Sequence, residues 1–264
     1  DAERDPPQWG FASSPLIAGG NVIVHAGGPG DKGILAYDLD TGDLQWSVPA
    51  GDHSYSSPQL TELFGQLNVL TLTNKELSIL DPTDGQLVGS HEWLYEGYRV
   101  VQPLVLDGTS VLMGSPMGTG TRRVDLEAAN NQISTVEKWT SKRMSPYYND
   151  YVAHDGYLYG FDNNIFACID LETGKRMWKK GRYGNGQVLL LPDADQLLVI
   201  SEDGELVLLR TNPEKLEVLG KHQVLSGRTW NHPVVVGDRL YVRNAEEAAC
   251  FEIPLAASPT LTTE

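Results

Sequence analysis

The chain has little positive charge, two cysteines and no long apolar run. Each shortage excludes a class of protein. Lys and Arg number 20 against 35 Asp and Glu, a net charge of −15. Nucleic acid needs clustered cations facing its phosphates, so no nucleic-acid partner is expected. Cys168 and Cys250 are too few for a disulfide framework or a thiolate metal site. No stretch approaches the roughly 18 apolar residues of a spanning helix, so no transmembrane segment is expected. The chain starts at Asp1 without a signal-peptide pattern, which predicts a mature or excised form.

Catalytic signatures are also scarce. Gly28-Pro29-Gly30-Asp31-Lys32-Gly33 fits G-x-G-x-x-G, but a strand is predicted after it, so no helix N-terminus is offered to a pyrophosphate. Asp38-x-Asp40 resembles the start of a calcium loop, yet it runs straight into a strand and lacks the later Glu. The 6 His are scattered, without zinc-site spacing. There is no G-x-S-x-G elbow.

What the chain does have is a repeat. Ala36-Tyr37-Asp38-Leu39-Asp40-Thr41-Gly42-Asp43-Leu44-Gln45-Trp46 returns as Cys168-Ile169-Asp170-Leu171-Glu172-Thr173-Gly174-Lys175-Arg176-Met177-Trp178, 132 positions later. That offset is three periods of 44. Degenerate copies phase on Asp38, Asp81, Asp125, Asp170, Arg210 and Glu252. A polar-to-Pro step opens a short strand earlier in most units: Ser14-Pro15, Ser57-Pro58, Gln102-Pro103 and His232-Pro233. Each unit reads as short antiparallel strands joined by turns, with no helical stretch. Four strands in about 44 residues describe a propeller blade. The expected fold is therefore all-β: one β-propeller domain over 1–254, with six blades near 10–52, 53–97, 98–145, 146–184, 185–229 and 230–254. The sixth stops after its third strand, and 255–264 reads as a disordered tail. Residues 1–9 are poor strand material because of Asp5-Pro6-Pro7.

Ala-x-Asp-x-x-Thr-Gly-x-x-x-Trp resembles the tryptophan-docking motif of the pyrroloquinoline quinone-like β-propeller repeat family, which spans outer-membrane-protein assembly factor B-like proteins and quinoprotein dehydrogenases. Its members usually have eight blades, so the resemblance implies the last six blades of an eight-bladed parent. It also implies an exported, periplasmic bacterial protein. In the motif, Ala36, Asp38, Gly42 and Trp46, and likewise Cys168, Asp170, Gly174 and Trp178, are expected to dock blades. The Trp would begin the outermost strand and lie on the neighbouring blade. Gly89 replaces that Trp in the second blade, and a longer turn precedes Trp139 in the third, so both should dock less tightly. Cys168 and Cys250 share the small-residue slot and are expected to be buried free thiols. The quinone enzymes of the family hold their cofactor with a vicinal Cys pair, a Trp and calcium. This chain has no adjacent cysteines, and no Glu, Asn and Asp set matches the calcium site.

The segments entering the axial funnel carry the remaining candidates. They begin with Trp9, Phe11 and Ser13. Next come His53, Tyr55 and Ser56, then Tyr98, Arg99 and Gln102. Tyr147, Tyr148 and Asn149 follow, then Tyr183 and Asn185, and lastly Arg228, Trp230, Asn231 and His232. Convergent aromatics with Arg, His and Asn suit a protein or glycan surface. The competing reading is that they fill the funnel mouth and satisfy loop backbone. The expected function is a non-enzymatic scaffold or binding module without cofactor or metal. The alternative is a pyrroloquinoline quinone- and calcium-dependent oxidoreductase, or its remnant.

Overall fold

The computed structural model describes residues 1–253. The tail expected at 255–264 lies outside the described residues. The protein is an all-β propeller of six antiparallel sheets, each built from consecutive strands. Blade one holds β1 (Leu16–Ala18), β2 (Asn21–His25), β3 (Ile34–Asp38) and β4 (Leu44–Val48). Blade two holds β5 (Gln59–Leu63), β6 (Gln66–Leu72), β7 (Glu76–Leu80) and β8 (Leu87–Glu92). Blade three holds β9 (Leu104–Leu106), β10 (Ser110–Ser115), β11 (Gly120–Ala129) and β12 (Gln132–Ser141). Blade four holds β13 (Val152–His154), β14 (Tyr157–Asp162), β15 (Ile165–Asp170) and β16 (Arg176–Arg182). Blade five holds β17 (Gln187–Leu191), β18 (Gln196–Ile200), β19 (Glu205–Arg210) and β20 (Glu217–Gln223). Among the described residues blade six has three strands, β21 (Val234–Val236), β22 (Arg239–Arg243) and β23 (Ala248–Glu252). Pro15, Pro58, Pro103 and Pro233 each sit one residue before an innermost strand, where the lost N–H costs the ladder nothing.

The repeat has a mechanical basis in every four-stranded blade. A register shift interrupts the pairing of third and fourth strands after Ala36, Ile79, Arg123, Cys168 and Leu208. Each bulge falls two residues before the phased position, and bulges sharpen the local twist. In blades one, two and four the Asp at that position then caps its own turn. Asp38 accepts from the backbone N–H of Asp40 and Thr41 at 3.0 and 2.8 Å. The Thr41 contact holds its carboxyl below the usual range. Asp170 accepts from the hydroxyl and N–H of Thr173 at 2.6 and 2.7 Å, and Asp81 accepts from the N–H of Thr83 at 2.7 Å. The direct work of these aspartates is local; they shape the surface on which a neighbour rests.

That neighbour is an indole. Trp46, third in β4, lies over the turn of blade two: a Cβ placed on Gly85 would be 2.5 Å from its ring. Trp139 lies over Gly174 of blade four in the same way, at 2.8 Å, and donates Nε1–H to the Leu171 carbonyl at 2.9 Å. Trp178 donates to the Asn212 carbonyl of blade five at 2.8 Å. The longer turn before Trp139 therefore does not loosen blade three, because the extra residues lengthen β11 and β12 beyond the contact and leave the indole in place. Blade two also docks closely, by another route. With no side chain at Gly89, β12 approaches so that a Cβ there would lie 2.6 Å from the Ile133 carbonyl. The Thr135 hydroxyl then donates to the Ser90 carbonyl at 2.8 Å.

Five apolar cores fill five junctions. Ile23, Ala36 and Trp46 meet Val69 and Leu80 between blades one and two. Leu70 and Ile79 meet Val111 and Val124 between two and three. Leu112 meets Leu158 and Ile169 between three and four. Tyr159, Phe166 and Cys168 meet Val199 and Val207 between four and five. Leu198 meets Leu240 and Val242 between five and six. Among the described residues no hydrogen bond or ion pair joins blade six to blade one. Residues 1–9 form no strand. They lie along blade one, where Arg4 donates to the Gly27 carbonyl at 2.9 Å and Tyr37 donates to the Asp1 carboxylate at 3.0 Å.

Cys168 is buried at a junction, but Cys250 is exposed. The expectation of two buried thiols fails at Cys250 because, among the described residues, no sheet covers the outward side of blade six. Burial pushes the Cys168 thiol up to about 12. A small thiol reagent should therefore modify one cysteine of the native protein quickly, and Cys250→Ser should abolish that fast phase. The glycine seats give a second test. Gly42 has φ +77° and nothing near its absent Cβ, whereas Gly85 has φ +73° and an indole on it. Gly42→Ala should cost about 1 kcal/mol of backbone strain. Gly85→Ala should cost about 3 kcal/mol or more, because steric overpacking adds to that strain. Urea unfolding of the two variants compares them directly.

Candidate partner-binding face

The loops ahead of the innermost strands gather at one end of the propeller and place the predicted residues in two aromatic groups. The first joins blades one to three. Trp9 stands edge-on to Tyr55 and Tyr98, with ring centroids 5.8 and 5.5 Å apart. Tyr98 also meets His53 at 5.0 Å and Tyr55 at 4.9 Å. The Tyr55 hydroxyl accepts from the Trp9 N–H at 3.1 Å. His53 is fixed through its backbone, with its N–H on the Asn74 side chain and its carbonyl on the Asn74 N–H.

The second group joins blades four to six. Tyr147 and Tyr148 are 5.0 Å apart, and Tyr148 stands edge-on to Trp230 at 5.4 Å. The Arg228 guanidinium lies over the Trp230 ring at 5.0 Å. The Trp230 indole N–H donates to Glu202 at 2.8 Å. Glu202 also accepts from the Asn185 N–H at 3.1 Å. Burial alone would raise this carboxyl, but the hydrogen bonds from Trp230 and Asn185 outweigh it and its pKa is lowered. Both indoles remain accessible, Trp9 at 60% and Trp230 at 43%.

The predicted residues Arg99, Asn149, Ser56 and Tyr183 are buried, and Tyr183 joins the core between blades four and five. Arg99 is completely buried. Its guanidinium stacks 4.3 Å from the Trp93 ring centroid and donates to the Ser115 hydroxyl and the Trp93 carbonyl. Among the described residues it makes no ion pair, and burial lowers its pKa to about 10. Its own carbonyl accepts from the Tyr55 N–H at 2.8 Å, so it braces the first aromatic group from beneath. Asn149 is equally buried and donates to the Gly186 carbonyl at 2.6 Å. Gln102 ties blades two and three through the Ser57 carbonyl at 3.2 Å. His232 is paired with Asp150 at 2.6 Å, linking blades six and four. Asn231 is half-buried between Trp230 and His232.

An axial cavity of about 270 Å³ lies between the two groups, lined by Gln59, Gln102, Leu104, Asp150, Val188 and His232 among others. Among its lining residues the sole carboxylate is Asp150, already paired with His232. The one grouping of metal-ligating side chains among the described residues is His154, Asp155 and Asp195. It lies at the opposite ends of the innermost strands, with both carboxylates in solvent. The axial donor set therefore does not fit a quinone held by calcium.

Sequence reading missed Glu202, Asp150 and Gln187. Glu202 sits in a Ser-Glu-Asp-Gly turn that looks like ordinary hairpin punctuation. Gln187 donates to the carbonyls of Tyr148 and Trp230 at 3.3 and 3.2 Å and so fixes the second group. The signal available was the polar side chain opening β17, an innermost strand of an otherwise apolar run.

A family model described as outer membrane protein assembly factor BamB matches residues 4–180. The chain belongs to the BamB family. Among solved structures it is similar to BamB from Moraxella catarrhalis, with a TM-score of 0.67, 20% identity, and coverage of 92% of this chain and 74% of that one. It is also similar to the computationally designed Ika8 protein, with TM-score 0.63, 12% identity, and coverage of 91% and 70%. A chain of the mitotic checkpoint complex follows, with TM-score 0.58, 10% identity, and coverage of 89% and 73%. At these identities the likenesses establish the propeller fold. No curated protein matches the chain.

The Glu202–Trp230 contact titrates. The folded pKa of Glu202 lies below its unfolded value, so the contribution is full above the unfolded value and lost as pH falls through the folded one. The Trp230 indole N–H signal in NMR should shift with a midpoint below the ordinary Glu value. Glu202→Gln should flatten that titration.

Proposed function

We propose that this chain is a non-enzymatic scaffold of the bacterial cell envelope that binds a protein partner through its funnel face. Membership of the BamB family supports the scaffold reading at the general level. The observation that carries the specific site is the pair of exposed indoles, each held rigid by its neighbours. Trp9 is braced by Tyr55 and Tyr98, and Trp230 by Arg228, Tyr148 and Glu202. Rigid, half-exposed Trp beside Arg is the composition of interface hot spots. Such side chains bury large apolar area on binding with little further ordering cost.

Quinone-dependent oxidation is the reading with less support. It would need a set of carboxylate donors around the axis, and the cavity offers one carboxylate, Asp150, already paired with His232. The export and periplasmic placement come with the family resemblance. A glycan partner would also use aromatic platforms, but the Arg228 and Glu202 charges flanking Trp230 suit a protein surface of mixed polarity.

Immobilised protein should capture a discrete protein from a bacterial envelope extract. Trp9→Ala with Arg228→Ala and Trp230→Ala should weaken that capture by about 30-fold or more, since one hot-spot truncation costs about 2 kcal/mol. Unchanged capture by the triple variant would remove the funnel face from consideration. Dye-linked alcohol oxidation on adding pyrroloquinoline quinone and Ca²⁺ would overturn the non-enzymatic reading.

A further inference from the structure

Blade three departs from the repeat, and the departure leaves a space beside blade two. In blade one the first residue of β2, Asn21, donates to the Pro82 carbonyl at 3.2 Å and so touches the β7–β8 turn of blade two. A Cβ on Gly19 would lie 2.9 Å from the same carbonyl, so that junction is filled. Asn68 holds the matching place in blade two. It stands one residue before the Val69–Leu80 pair, as Asn21 stands one before the Val22–Tyr37 pair. No such turn lies opposite it. In blade three the chain does not turn after Asp125; β11 and β12 run on to a tip at Asn130-Asn131. The β5–β6 hairpin is also extended, pairing as far as Leu63 and Gln66 before it turns. A pocket of about 240 Å³ lies between the two long hairpins.

Its lining has three parts. Leu63, Val88 and Ile133 form an apolar floor on the core between blades two and three. The sides are amides: Gln66, Asn68, Asn130, Asn131 and Gln132. Asn68 is only 4% exposed. Its Nδ2 donates to the Gln66 carbonyl at 2.8 Å, and among the described residues its Oδ1 accepts from no group. Phe64 is the third part, 43% exposed at the rim. It sits at φ +51°, where the matching turns of blades three and four place Asp107 and Asp155. Asp tolerates that conformation and a bulky ring does not. Nothing in the turn itself calls for an aromatic there. No lining residue is charged, although 21% of the chain is.

We propose that this pocket binds one neutral pyranose ring, with the C–H face of the sugar on Phe64 and its hydroxyls among the amides. Asn and Gln each offer donors and an acceptor, and a sugar hydroxyl also does both, so the two match without charge. A carboxylate or phosphate ligand would meet no cation here and would approach a chain of net charge −15. The pocket is smaller than the roughly 300–1,000 Å³ of drug-sized sites, which limits it to a single ring. Both hairpin turns lie at the end of the propeller opposite the funnel loops. The site is therefore separate from the funnel face and does not depend on it.

Three probes test this by NMR on the full chain: methyl β-D-glucopyranoside, methyl β-D-galactopyranoside and methyl N-acetyl-β-D-glucosaminide, each up to tens of millimolar. At least one should shift the backbone amides of 63–68 and 128–133 saturably, with a Kd of about 1–10 mM. Sodium glucuronate should bind about tenfold more weakly, because its carboxylate finds no partner. Asn is favoured at positive φ, so Phe64→Asn removes the ring and relaxes the turn. Its Tm should not fall, and its affinity for the same glycoside should drop about tenfold. An Arg228→Ala/Trp230→Ala variant should bind the glycoside like the parent, which separates this site from the funnel. The absence of a saturable shift with all three glycosides would overturn the proposal. So would shifts confined to other residues, glucuronate binding as tightly as the glycosides, or unchanged affinity in Phe64→Asn.

Discussion

An indole laid on the turn of the next sheet, at three of the five junctions, is the contact that organises this architecture. A blade is a small sheet with two faces, and its apolar residues are buried only when neighbouring blades cover them. The Trp reaches across the junction, and the facing Gly leaves room for the ring. In blades one, two and four the Asp two residues after the bulge shapes the turn, and in two and four an indole rests on that turn. Trp139 stacks on Gly174 and donates to the Leu171 carbonyl. Trp46 uses only the stacking surface, because its Nε1 donates to no protein group.

Much of this was legible in the sequence, because the features that repeat are local. Asp, Thr and Gly define a turn within five residues, and their spacing set the phase of all six sheets, including Arg210 and Glu252 where the Asp is replaced. The side chains at the funnel were legible as residue types but not as roles. Arg99 stands beside Tyr98 in the chain, yet it is buried against Trp93 while Tyr98 joins the aromatic cluster. Nothing local distinguishes the two positions; the packing of blade two on blade three decides. Cys250 was unreadable for the related reason that its burial depends on whether another sheet lies outside it. Glu202 became visible only when folding brought it beside Trp230, 28 positions away.

The funnel face and the blades are specified in different ways. At the funnel, six loops of unrelated sequence converge, and Glu202, Gln187 and Arg99 hold the aromatic side chains in place. Within the blades, position is set by the backbone ladder and by the repeat itself.

The five cores have a thermodynamic consequence. Among the described residues blades one and six share in one core each, while the four blades between them share in two. Stability in stacked-unit proteins is close to a sum of unit and nearest-neighbour terms. Blade four, flanked by Trp139 on one side and Trp178 on the other as well as by two cores, draws most on its neighbours.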